Sequence, residues 1–331
     1  MPGFLTHYLA GQKLKASLPG LLTQYLAGQQ MGSAFSDEAM QKILHHEKLF
    51  SLGCQGPDIF FYYLPGLVIK KPRYYYGTTY NSTRGLGTLM HNQNFGKFLL
   101  EMASLCKSDK TGAVFAYTSG LVMHYALDST AHPYVYAKTT SNAGLFKNTA
   151  DHRLFETAID MLMLMRLKNQ KPNDLVRYEL IDADEVDLQT AAKAVSCALN
   201  RVYSHKLVHV QVFSAMKYMI RFTKLLQTKR GLRKKILRFI EGVTVREPLF
   251  SSMMHDQKTE MDVLNLEKNE WLAPWEGAQK KEQSFIELFD GAIYEAAEMC
   301  RVLAGFAYGE EGEKTIAGVI GNKSLKTGEN C

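Results

Sequence analysis

The sequence has no long apolar run, no clustered cysteines and almost no strand-like alternation, and each absence removes a class of protein. No internal stretch reaches the roughly 20 apolar residues that a bilayer-spanning helix requires. The five cysteines, Cys54, Cys106, Cys197, Cys300 and Cys331, are odd in number, widely spaced and free of any Cys-x-x-Cys pair. That pattern indicates neither a disulfide framework nor a thiolate zinc site, and it fits reduced thiols in a cytoplasmic protein. The N-terminus "MPGFLTHYLAGQKLKASLPG" lacks a basic start leading into an apolar block and a small-residue cleavage site. No secretory leader is read there, and the expected location is cytoplasmic. Without period-two alternation or a βαβ rhythm, the fold class is all-α.

What is present supports a sizeable helical core. Of 331 residues, 46% are hydrophobic and 22% charged, so the chain is not disordered as a whole. The net charge of +6 gives a mild attraction for anionic partners without singling out nucleic acid. Helical periodicity covers about 37–52, 88–106, 112–132, 149–170, 188–230, 232–242 and 282–308. Pro133 is expected to help end the third of these. No linker forces a division, so residues 1–309 read as one multi-helix bundle and the Gly/Lys/Glu-rich 310–331 as a flexible tail. Near the start, "PGFLTHYLAGQ" returns as "PGLLTQYLAGQ", with Gln24 in the place of His7. Helix packing therefore works without the imidazole, which leaves His7 available for chemistry.

The chemistry-bearing stretch is "LVMHYALDSTAHPY" at 121–134. His124, Asp128 and His132 are spaced by four, so they drift only about 40° per step and share one helix face. His152 and Glu156 in "DHRLFETAIDML" repeat the interval. Imidazole and carboxylate without thiolate suit zinc and other borderline divalent ions. Facing helices that carry such rows can build a multinuclear site inside a bundle. Asp58 in "GPDIF", His91 in "LMHNQNFG" and His7 are each a lone polar residue among apolar neighbours. A single histidine in that setting is more often a satisfied core residue, and Asp58 after Pro57 also suits a turn or N-cap. The five in the two rows are different, because burying them together without a cation carries a heavy desolvation cost.

"GPDIF", "MHNQNFGKFL", "GLVMHYALDSTAHPY" and "HRLFE", in that order, resemble the zinc-dependent phospholipase C family, whose all-helical fold is shared with zinc-dependent single-strand nucleases. The resemblance implies phosphodiester hydrolysis at a cluster of two zinc ions, with a third possible. It implies that His91, His124 and Asp128 hold one zinc, with Asp58 beside it as ligand or general base, and that His132, His152 and Glu156 hold another. Asp128 would bridge towards a third zinc held by His7. Secreted members complete that third site with the amine of an N-terminal tryptophan. This chain begins Met1-Pro2, and removal of Met1 would expose the Pro2 amine five residues before His7.

Substrate contacts are expected from the loop between Asp58 and His91, which contains Tyr63, Tyr75 and Arg84. Arg84 is the favoured phosphate contact, and tyrosines beside cations suit either an organic head group or a stacked base. The basic stretch "MKYMIRFTKLLQTKRGLRKKILRF" reads first as helices with a solvated outer face, with peripheral membrane contact or nucleic-acid binding as the other uses. Three functions remain open from these residues. They are a phosphodiesterase acting on a phospholipid or head-group diester, a nuclease of the same fold, and a metal-stabilised binding protein.

Overall fold

The computed structural model describes residues 3–18, 36–62, 85–140, 145–204, 206–227 and 262–331. Tyr63, Tyr75, Arg84, the Pro2 amine, the second copy of the N-terminal echo and the basic stretch beyond Gln227 lie outside the described residues. Eleven α-helices occur among them: α1 Phe4–Ser17, α2 Asp37–His45, α3 Glu47–Gly53, α4 Leu86–Asn92, α5 Phe95–Cys106, α6 Ala113–Thr139, α7 Leu145–Lys168, α8 Glu185–Tyr203, α9 His209–Leu226, α10 Phe285–Tyr308 and α11 Glu313–Ile320. Short 3₁₀ turns occupy Gly56–Phe60, Pro172–Asp174 and Arg177–Leu180. The fold is all-α, and among the described residues β pairing is limited to isolated bridges such as Trp271 to Lys281.

Helix α6 is the axis of the bundle, packed by α1, α2, α3, α5, α7, α8 and α10. Asp109 starts it by accepting from the amide of Val114 at 2.7 Å and from both the amide and hydroxyl of Thr111. Nearly every residue from Ala113 to Val135 is buried, the pattern of a helix enclosed on all sides. Its aromatic residues Tyr117, Tyr125 and Tyr134 are fully buried together with Phe50, Phe95, Phe285 and Phe289. Two of these tyrosines bury their rings and satisfy their hydroxyls, Tyr134 donating to Val263 O at 2.8 Å and Tyr125 to Ile320 O at 3.0 Å.

Several expected boundaries move. The run at 88–106 divides at Asn94, whose φ of 60° breaks the helix, and the run from 188 divides at Ser204 with φ 53°. The α8–α9 corner is closed by Asn200, which donates to Leu207 O at 2.8 Å and accepts from Leu207 N at 2.9 Å. Pro133 does not end its helix, and α6 continues to Thr139. Proline's fixed φ suits the α region, so the cost here falls on one lost bond to the Ser129 carbonyl.

The flexible tail expected at 310–331 is instead built into the fold. Residues 313–320 form α11, and 321–331 fold back as a turn in which Ser324 N bonds Glu329 O at 2.8 Å and Cys331 N bonds Asn322 O at 2.9 Å. Leu325 at its tip is fully buried. Burial of one leucine, worth about 2 kcal/mol, and these internal bonds work against the entropy of ordering, which composition alone would leave unopposed.

Candidate metal centre

All eight residues expected to hold metal meet in the interior. His7 comes from α1, Asp58 from the 3₁₀ turn, His91 from α4, His124, Asp128 and His132 from α6, and His152 and Glu156 from α7. Among the described residues, three groups bring ligand atoms within 4.8 Å of one another: His7, His124 and Asp128; Asp58, His91 and His124; and His132, His152 and Glu156. The last group is the one the sequence implied. The first two partition differently from the expected His91–His124–Asp128 set, with His124 common to both. Asp128 still lies at the middle, since its Oδ2 is 3.0 Å from His124 Nε2 and 3.5 Å from His91 Nε2. Its Oδ1 is 3.2 Å from His7 Nε2.

The imidazoles are held in one sense. His91 Nδ1 bonds Gly87 O at 2.7 Å, His124 Nδ1 bonds Cys54 O at 3.1 Å, and His132 Nδ1 bonds Leu325 O at 2.5 Å. His152 Nδ1 lies 3.3 Å from the Thr139 hydroxyl, which itself donates to Val135 O. Each outer contact fixes the tautomer and turns Nε2 towards the centre, as metal-ligating histidines require. Gly56 makes one of these approaches possible. Its φ is 55°, and a Cβ there would lie 2.3 Å from His124 Cδ2.

The inward-facing atoms satisfy the test for a cation. His7 Nδ1 and Nε2, Asp58 Oδ1, both Asp128 oxygens, His124 Nε2 and His132 Nε2 are buried and make no hydrogen bond. His7 Nε2 and His124 Nε2 lie 3.2 and 3.0 Å from the two Asp128 oxygens without forming a hydrogen bond to them. Such orphaned groups are rare in native interiors and suit a bound cation. The residues therefore fit zinc.

The electrostatics of the ion-free groups divide the ligands. Burial lowers the pKa of His7, His132 and His152, the latter two well below 6.5, which leaves them neutral and able to ligate. Burial pushes Glu156 well above its usual range. Burial opposes ionised Asp128 too, yet the imidazoles of His124, His132 and His7 hold its carboxyl well below the usual range. For His91, burial disfavours the cation but the Asp128 and Asp58 carboxylates outweigh it, raising its pKa to about 9.

Asp58, His91, His132, His152 and Glu156 all face a cavity of about 700 Å³. Three cations also line it, Arg153, Arg177 and Lys326, with Phe61, Tyr62, Phe222, Tyr136 and Trp275 as an aromatic wall. The sequence reading missed most of these. Arg153 adjoins His152 and was visible beside the motif, whereas Arg177 and Lys326 carry no local signal. Asp160 was overlooked although it extends the His152–Glu156 row by another four residues. It accepts from Leu5 N at 3.0 Å, Thr6 N at 2.7 Å and the Thr6 hydroxyl at 2.6 Å, and so holds the start of α1 and with it His7.

No curated protein and no solved structure matches the chain. Residues 4–203 match the family described as zinc dependent phospholipase C. That stretch spans α1 to α8 and contains every ligand-bearing element. More than half the chain is covered, and the chain belongs to the zinc-dependent phospholipase C family.

Proposed function

We propose that this protein hydrolyses a phosphodiester, with a phospholipid or a head-group diester as the substrate class. The observation that carries the reading is the opening of the ligand groups onto a cavity lined by cations. A structural zinc site is closed by four protein ligands, whereas the His132–His152–Glu156 group, which faces the cavity, offers three. When bound, zinc supplies a Lewis acid for a phosphoryl oxygen and water acidic enough to ionise near neutral pH.

The chain's own residues prepare that chemistry. The outer hydrogen bonds of His91, His124 and His132 fix their rings in advance, so no reorganisation is required during reaction. Asp58 is at the cavity wall with Oδ1 uncommitted to any hydrogen bond. That position suits it to orient the attacking water and take its proton. Arg153 and Arg177, on the lining of the cavity, would offset the negative charge that phosphoryl oxygens gain. The aromatic wall accommodates the organic part of the substrate and excludes bulk water.

The test is a parallel assay of the zinc-loaded protein on a chromogenic phosphodiester, phosphatidylcholine vesicles and single-stranded DNA. Turnover of the first two that disappears on chelation is expected. Asp58→Asn should lower kcat by roughly 10²–10⁴-fold, more than any loss of zinc measured in the same sample explains. Zinc binding without hydrolysis of any diester would refute the reading, and preferential cleavage of the DNA would replace it with the nuclease.

A further inference from the structure

We propose that residues 321–331 are a working part of the metal centre, holding His132 in orientation and presenting Lys326 to the phosphate of the substrate. The second half of this inference rests on the phosphodiester reading above. The segment lies outside residues 4–203, over which the family likeness extends.

The turn is anchored at its entry and bound to two ligand-bearing helices. Tyr125, one turn from Asp128 on α6, donates its hydroxyl to Ile320 O and accepts from Lys323 N at 2.6 Å. Lys323 also pairs with Glu295 on α10. The Ser324 hydroxyl and the Lys326 amide both donate to His91 O, at 3.1 and 3.2 Å. Between them, the carbonyl of buried Leu325 receives His132 Nδ1 at 2.5 Å. With Nδ1–H committed there, the His132 Nε2 lone pair is presented to the His152 and Glu156 group, where Nε2 is buried and makes no hydrogen bond.

The seat for the turn is cut by Pro133. Having no N–H, it leaves the Ser129 carbonyl without its helical donor. Gly328, at φ 74°, packs against that carbonyl so closely that a Cβ would lie 2.3 Å from the oxygen. Only glycine fits the close approach.

The turn delivers Lys326 to the cavity. Its ammonium lies 5.3 Å from the centroid of Tyr136, whose ring is 4.8 Å from that of His152. Lys326 forms no ion pair among the described residues. With divalent ions held by the ligands on that wall, an ammonium facing it would be repelled unless an anion lay between. A phosphate is the ligand that would make this arrangement favourable, with Lys326 among the groups that would hold it.

The test uses the full chain loaded with zinc, with inorganic phosphate as probe. Lys326→Gln should weaken phosphate binding roughly tenfold, the loss of a hydrogen bond to a charged group, while zinc affinity is unchanged. Lys326→Arg should restore most of the binding, which a merely structural role does not predict. Equal phosphate affinity in Lys326→Gln and the parent protein overturns the phosphate assignment. Gly328→Ala should lower zinc affinity at one site by about 10–100-fold, with helical circular dichroism retained. Ser324→Ala removes the bond to His91 O more gently and should shift the same site in the same direction. Unchanged zinc affinity in both variants overturns the positioning role. None of these readouts requires turnover, so a protein that binds zinc and phosphate but hydrolyses nothing fails the proposed reaction alone.

Discussion

Removing the metal should destabilise the whole protein by a predictable amount. The seven buried atoms without hydrogen bonds on His7, Asp58, Asp128, His124 and His132 belong to three separate elements, α1, the 3₁₀ turn and α6. At the low end of about 1 kcal/mol for each buried unsatisfied polar atom, they cost the metal-free protein about 7 kcal/mol. That is comparable to the entire stability margin of an ordinary domain. A site exposed to free zinc at about a thousand times its Kd contributes about 4 kcal/mol, so two sites contribute about 8 kcal/mol, a matching magnitude. An unfolding entropy of about 2.1 cal/mol/K per residue over 331 residues converts each kcal/mol into ~1.4 °C of Tm. Scanning calorimetry on protein dialysed against chelator and then reconstituted should show Tm rising by about 12 °C, in proportion to zinc bound. A shift below about 2 °C under saturating zinc would mean that these groups are satisfied without a cation, and the argument from orphaned atoms would be wrong.

Three further outcomes follow from the geometry. In the metal-free protein His91 has a pKa raised to about 9, so at pH 7 it must lose a proton when it ligates. Zinc affinity should therefore climb between pH 6.5 and 9, and titration calorimetry in buffers of different ionisation enthalpy should record proton release. The linkage runs oppositely for the apoprotein. The contribution of His91 to its stability is complete below the unfolded value of about 6.5 and is lost as pH rises through about 9. Asp160→Asn should destabilise by about 2–3 kcal/mol, because three donors from Leu5 and Thr6 converge on that carboxylate. Denaturant unfolding will measure it, and a loss below about 0.5 kcal/mol would show that α1 is held elsewhere. Gly56→Ala places a methyl 2.3 Å from the His124 ring. It should reduce bound zinc at the groups containing His124 while sparing the His132–His152–Glu156 group, and full zinc content by atomic absorption would contradict this.

The rows on α6 and α7 were legible because their members are related by helix geometry alone. Four residues along one helix settle which side chains are neighbours before any tertiary contact forms. Asp58, His91 and His7 were legible as residue types, but their grouping was not. Whether His124 pairs with His7, with Asp58 and His91, or with both depends on how closely the 3₁₀ turn approaches α6, and a single positive-φ glycine sets that distance. The Pro133 reading erred in a related way. A proline inside a helix is costly when the freed carbonyl and the ring have nowhere to go, and here the freed carbonyl of Ser129 faces a glycine from the far end of the chain.

The misjudged tail shows the general limit most clearly. Gly, Lys and Glu in 310–331 contribute little apolar surface, and composition correctly reports that this segment has no core of its own. It does not report that Tyr125, nearly two hundred residues earlier, offers a buried hydroxyl able to bond the backbone on both sides of Gly321. Nor does it report that His132 requires a carbonyl acceptor for its outer nitrogen. A metal centre sums such demands across the fold. Each ligand needs an oriented partner behind it, and helix interiors, whose carbonyls are already bonded, are poor suppliers of one. Irregular backbone has carbonyls to spare. His124 draws its acceptor from Cys54, just beyond the end of α3, whereas His91 shares the carbonyl of Gly87 one turn back in its own helix. His132, enclosed within a continuous helix, takes its acceptor from a segment that arrives from outside the helical framework, the turn around Leu325.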